Sequence, residues 1–125
     1  MKRIITIAAV AAIALFATAS LGSVTAAHAS PISRANAVRS AKEYLQFKAF
    51  SLKGLVSQLK YEGFSTSDAT YGASHSGTNW RKQAVRSAKE YLQFKAFSRS
   101  GLVEQLEYEG FTHSQALYGV RATGL

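Results

Sequence analysis

The chain of 125 residues contains no cysteine and, beyond its first 29 positions, only two histidines. The first absence excludes a disulfide framework, a thiolate zinc centre and an acyl chain carried on a leader cysteine. It leaves the redox compartment unmarked, because an exported helical protein does not need disulfides. The second absence leaves His75 and His113 without the three or more convergent ligands that a metal centre requires. No glycine-rich loop of the phosphate-cradling kind is present. Acids are scarce as well, 7 against 15 Lys and Arg, for a net charge of +8. From Ser30 onward the count is 13 basic against 7 acidic residues, a net +6. Such a surplus favours an anionic neighbour: nucleic acid, lipid headgroups or an acidic wall polymer.

The amino-terminal end decides among these. Lys2 and Arg3 precede an apolar run from Ile4 to Ala17, interrupted only by Thr6, and Ala27-His28-Ala29 offers the small residues of a cleavage site. This pattern predicts a secretory signal peptide over 1–29. An uncleaved membrane helix is the competing reading, but the run falls short of the ~20 residues that span a bilayer. The mature chain is therefore expected outside the membrane, secreted or surface-associated and without a lipid-anchor cysteine.

What is abundant is repetition. Ala37 to Ala73 recurs as Ala84 to Val120 at a constant offset of 47, with AVRSAKEYLQFKAFS unchanged in both copies. The copies differ at nine aligned pairs: Leu52/Arg99, Lys53/Ser100, Ser57/Glu104, Lys60/Glu107, Ser65/Thr112, Thr66/His113, Asp68/Gln115, Thr70/Leu117 and Ala73/Val120. A repeat of this kind is one supersecondary unit used twice. Units of 37 positions fall below the roughly 40 residues at which a core sustains itself. The copies are thus expected to pack on each other or to be marginal alone. The parsing is a tail at 30–36, repeat 1 at 37–73, a polar linker at 74–83, repeat 2 at 84–120 and a tail at 121–125.

Within a unit, Val38, Ala41, Tyr44 and Leu45 recur at helical spacing, opposite Arg39, Lys42, Glu43 and Gln46, which predicts a first helix from about Asn36 to Lys48. Ser51 stands as an N-cap before Leu52, Leu55, Val56 and Leu59, and Gly63 is a left-handed stop backed by Phe64. Ser65 with Asp68 reads as a capping box opening a third short helix to about Ala73. The fold class is all-α, two tandem three-helix units of helix-turn-helix type. Phe47 and Phe94 lie off the apolar stripe; each either closes its own core with Phe50 or Phe97 or joins the copies. Trp80 has no aromatic counterpart, since Ser33 occupies its place, and is expected at an interface edge.

Chemistry finds little foothold. Glu62 and Glu109 recur before glycine and could in principle act as a glycosidase pair, but helix-end glutamates of this kind more often make local hydrogen bonds. No enzyme, metal or cofactor is expected. The informative substitutions lie on one outward arc of the second helix, where Lys53, Ser57 and Lys60 become Ser100, Glu104 and Glu107. They are read either as solvated surface or as a partner-binding face whose polarity differs between modules. An acidic second helix opposes phosphate, and export removes the chain from chromosomal DNA, so no nucleic-acid partner is expected.

The strings SAKEYLQFKAFSLKGLVSQLKYEGFSTSDATYG and SAKEYLQFKAFSRSGLVEQLEYEGFTHSQALYG resemble the repeat of the Ltp-like host cell surface-exposed lipoproteins. The paired AxxYL, FSxxGL, QLxxEGF and AxYG segments carry the resemblance across both copies. It implies tandem helix-turn-helix units behind a secretion leader. It also implies, for some members, superinfection exclusion, in which a protein outside the membrane blocks injection of phage DNA, with a tail tape-measure protein as partner. The motif residues Tyr44, Leu45, Phe50, Gly54, Leu55, Leu59, Gly63 and Phe64 read as fold determinants. Lacking a cysteine, the chain departs from the lipoprotein pattern. The runner-up function is a basic module holding an anionic envelope polymer or lipid.

Overall fold

A computed structural model of the protein describes residues 30–125; the leader expected at 1–29 lies outside the described residues. Six helices follow in order: α1 (Pro31–Phe47), α2 (Leu52–Tyr61), α3 (Thr66–Ser74), α4 (Trp80–Phe94), α5 (Arg99–Tyr108) and α6 (His113–Arg121). They form two three-helix units, as the duplication requires. In each, the long helix packs mainly on the third, α1 on α3 and α4 on α6.

The side-chain chemistry explains the boundaries. Ser51 and Ser98 accept from the N–H of Gly54 and Gly101 as N-caps of α2 and α5. At their far ends Gly63 and Gly110 sit at φ of 103° and 102°. There the Phe64 and Phe111 N–H groups donate to Leu59 and Leu106, and the glycine N–H groups to Lys60 and Glu107. That double return is a Schellman stop, and it satisfies carbonyls the helix leaves open. Close packing at the centre of each unit also depends on glycine. A Cβ on Gly72 would lie 2.6 Å from the Ala37 backbone, and one on Gly119 2.6 Å from Ala84.

Each unit has its own core. Ala41, Tyr44, Phe50, Leu55, Leu59, Ala69 and Ala73 form the first. Ala84, Ala88, Tyr91, Leu102, Val103, Leu106, Phe111, Ala116 and Val120 form the second. The ring geometry is reproduced closely, with Tyr44 edge-on to Phe50 at 6.0 Å and Tyr91 to Phe97 at 5.9 Å.

Several expectations are corrected. The segment before the first copy is no loose tail: Ser30 caps α1 and Pro31 occupies its first turn, where its missing N–H costs nothing. Ser65 caps α3, but Asp68 does not reciprocate. Its carboxylate instead accepts from Ser33 Oγ at 2.5 Å and faces Arg34 Nε at 3.8 Å. The complete capping box is in the second copy, between Thr112 and Gln115. Residues 74–78 make a turn that reappears in 121–125: Ser76 and Thr123 both turn their hydroxyls to the carbonyl three residues back, at 2.7 and 2.6 Å. Gly77 and Gly124 both have positive φ. The structural period thus extends past the last obvious sequence match. Phe47 and Phe94 neither close a core nor join the copies, being 60% and 74% exposed.

Candidate functional site

The two units meet through polar side chains placed on backbone groups. Arg86, on α4, donates to the Leu45 carbonyl at 2.5 Å and the Gln46 carbonyl at 3.4 Å, closing the carboxyl end of α1. Its Nε also holds Glu90 at 3.1 Å, whose other oxygen accepts from the Ala49 N–H at 3.4 Å. Gln83 accepts from the Phe50 N–H at 3.3 Å. Trp80 packs from the start of α4 against the first unit's core.

The last of these contacts shapes the surface. Ser51, the N-cap of α2, donates its hydroxyl to the carbonyl of Glu109, the C-cap of α5, at 2.5 Å. The negative end of α5 therefore abuts the positive end of α2, a favourable dipole alignment. The approach is tight: a Cβ on Gly110 would fall 2.7 Å from Ser51 Oγ and 2.9 Å from Lys53 Cβ. The α5 positions Ser100, Glu104 and Glu107 lie on one side of this junction and the α2 positions Lys53, Ser57 and Lys60 on the other. Lys53, Ser57, Lys60 and Ser100 are exposed, whereas Glu104 and Glu107 are half-buried. Glu107 accepts from the His113 ring, so part of the acidic arc is committed to α6.

Beside the junction lies an open cleft of about 520 Å³. Phe50, Ser57, Gln58 and Tyr61 line it from the first unit, and Ser87, Glu109 and Phe111 from the second. Tyr61 stands at its edge 85% exposed. An apolar floor with hydroxyls and an aromatic rim suits a polypeptide segment better than a small charged metabolite. Ser57 is the residue of the sequence-derived arc that the fold brings to this cleft.

The repeated glutamates have a structural duty. Glu62 accepts from the Tyr44 hydroxyl and Glu109 from that of Tyr91. Gln58 and Gln105 each donate to the same tyrosine oxygen at 3.3 Å. Burial, and then the bond to Glu62, push the Tyr44 hydroxyl up to about 12. The same two causes raise that of Tyr91. Both carboxylates are thus occupied in tying the long helix to the second one. No group of His, Asp and Glu able to hold a metal occurs among the described residues, and none of their helices is long and apolar enough to cross a membrane.

Sequence reasoning missed Gln83, Arg86 and Glu90, because Arg86 and Glu90 are unchanged from Arg39 and Glu43 and identity carries no sign of a different job. It also passed over Tyr61, which belongs to the exposed arc but adjoins the glycine stop. The one visible signal was the pair of linked changes Ser33/Trp80 and Asp68/Gln115. Ser33 and Asp68 bond each other in the first unit, and both are replaced in the second.

Comparison with known proteins agrees with this architecture. The family model described as host cell surface-exposed lipoprotein matches residues 33–75 and again 79–122. No curated protein matches the chain. Among solved structures, the chain is similar to that of Ltp, a superinfection exclusion protein from the Streptococcus thermophilus temperate phage TP-J34. The two share 30% identity and a TM-score of 0.69 over 74% of this chain and 97% of that one. Two matched segments in tandem, each containing one three-helix unit, make this chain a member of the host cell surface-exposed lipoprotein family.

Proposed function

We propose that the protein is an exported, non-enzymatic binding module of the cell envelope that acts in superinfection exclusion by engaging a component of an incoming phage's injection apparatus, a tail tape-measure protein. The family is described as surface-exposed, and the similar solved protein is a superinfection exclusion protein. The observation that carries the reading is the junction of α5 and α2. It sets the carboxyl end of α5, the helix of Glu104 and Glu107, against the amino end of α2, the helix of Lys53 and Lys60, beside the cleft. A long helical partner would meet complementary charge along its length and insert side chains against Phe50 and Tyr61. The test is to express the chain in a susceptible host and follow phage DNA injection after normal adsorption. Reduced injection is expected, and unchanged injection ends the proposal. Within that assay, Glu104→Ser with Glu107→Lys should alter partner binding; identical binding would remove the arc from the mechanism.

A second reading is favoured by one observation, the surplus of 13 basic over 7 acidic residues from Ser30 on. In it the protein holds an anionic envelope polymer or lipid surface by charge. Such attachment weakens steeply as salt shortens the Debye length toward about 8 Å and below, whereas recognition of a protein in the cleft persists.

A further inference from the structure

The internal docking of the second unit on the first uses residues that both units possess, so each end of the molecule retains half of an unused joint. The donor half is Arg86 with Glu90; the same pair in the first unit, Arg39 with Glu43, faces solvent at 79% and 60% exposure and forms an ion pair at 3.7 Å. The acceptor half is the turn ending α1, where Ala49, Phe50 and Ser51 are buried beneath α4 and α5. The second unit's turn has the identical sequence from Leu92 to Ser98, yet Gln93, Ala96 and Ser98 remain exposed.

We infer that a second copy of this chain docks head to tail, its Arg39 and Glu43 taking the Leu92–Ser98 turn as Arg86 and Glu90 take Leu45–Ser51. In that contact Arg39 reaches the carbonyls of Leu92 and Gln93, which the end of α4 leaves open as α1 leaves those of Leu45 and Gln46. Glu43 accepts from the Ala96 N–H, and Ser98 Oγ donates to the Glu62 carbonyl. Each group has a proven counterpart one unit away, at distances of 2.5 to 3.4 Å. A contact joining unlike surfaces is heterologous, so it propagates unless the rotation closes a ring. The contact brings chain ends together: by the 47-residue period Ser30 and Pro31 of the incoming copy correspond to Gly124 and Leu125 of the receiving one, so one of these pairs swings aside. Leu125, whose carbonyl accepts from Arg99 at 2.7 and 3.0 Å, is the receiving end that it meets. Two things make the intermolecular contact weaker than the internal one: Ser33 stands where Trp80 packs, and Asn36 replaces Gln83. Loss of the tether that supplies a millimolar effective concentration weakens it further.

Analytical ultracentrifugation of the purified exported protein up to about 1 mM tests the inference. Reversible association is expected, weakened roughly tenfold or more by Arg39→Glu. Lys42→Glu, which makes the same charge change on an exposed neighbour, should leave it within about twofold. Mixing Arg39→Glu chains with Ala96→Glu chains should give pairs that grow no further, since each variant retains one working end. A monomer throughout the range, equal weakening by the two charge reversals, or failure of the mixed variants to pair would each overturn the inference. None of these results bears on the cleft, so the proposed exclusion function is judged separately.

Discussion

Ser51 and Ser98 are the same residue at the same place, and their surroundings separate them. Both cap a helix through the N–H three residues on, but Ser51 is also buried and donates to Glu109 across the two units. Chemical denaturation should show Ser98→Ala costing about 1 kcal/mol, the ordinary cap loss, and Ser51→Ala about 1 kcal/mol more for the stranded carbonyl. Equal costs would mean that the inter-unit bond contributes nothing. Tyr44 gives a pH signature. A hydroxyl whose folded pKa lies above its unfolded value near 10 stabilises the fold below that value and stops doing so as pH rises through about 12. Stability should therefore fall between pH 10 and 12, and Tyr44→Phe with Tyr91→Phe should flatten that decline while lowering stability at neutral pH. Of the candidate site, the sequence exposed the nine differences between copies but hid the residues that matter by sameness. Arg39 and Arg86 carry no mark that one is solvated and the other is a clamp.

At the scale of helices, caps and stops were readable because their chemistry is local: Ser51, Gly63, Thr112 and Gln115 act on groups three or four positions away. What escaped reading was set by distant groups. The local pattern has Asp68 closing its own helix, whereas Ser33, 35 positions earlier, captures it. Hydropathy points to Phe47 and Phe94 as contact residues, yet it says nothing about a joint made of guanidinium, amide and carbonyl groups. The tight crossing of α1 on α3 is equally silent in periodicity. It rests on Gly72, and Gly72→Ala should cost several kcal/mol, on the order of 2 to 3, because the Ala37 backbone 2.6 Å away has no flexible end to move. Thermal unfolding checks this; a shift within the noise would show that the helices slide apart without penalty.

For the whole molecule, the question is how strongly two small units depend on each other. Arg86→Ala removes three contacts at the joint, and should destabilise by about 1 to 3 kcal/mol while separating the unfolding of the two units. Arg39→Ala, the same substitution one unit earlier, should change stability by no more than about 0.5 kcal/mol. Calorimetry on the pair would register the contrast as one broadened or split transition against one sharp one. Identical traces would mean that the units are neighbours without being coupled.

The end-to-end seating of α5 on α2 has a consequence beyond packing. Glutamates fall on one side of the seam and lysines on the other. The backbone dipoles of α5 and α2 run the opposite way, positive at the start of α5, but their half-charges are smaller than the full side-chain charges, so the body keeps a net electrical axis. Facing any charged boundary, such a body arrives already turned, and whatever lies along that axis is presented first.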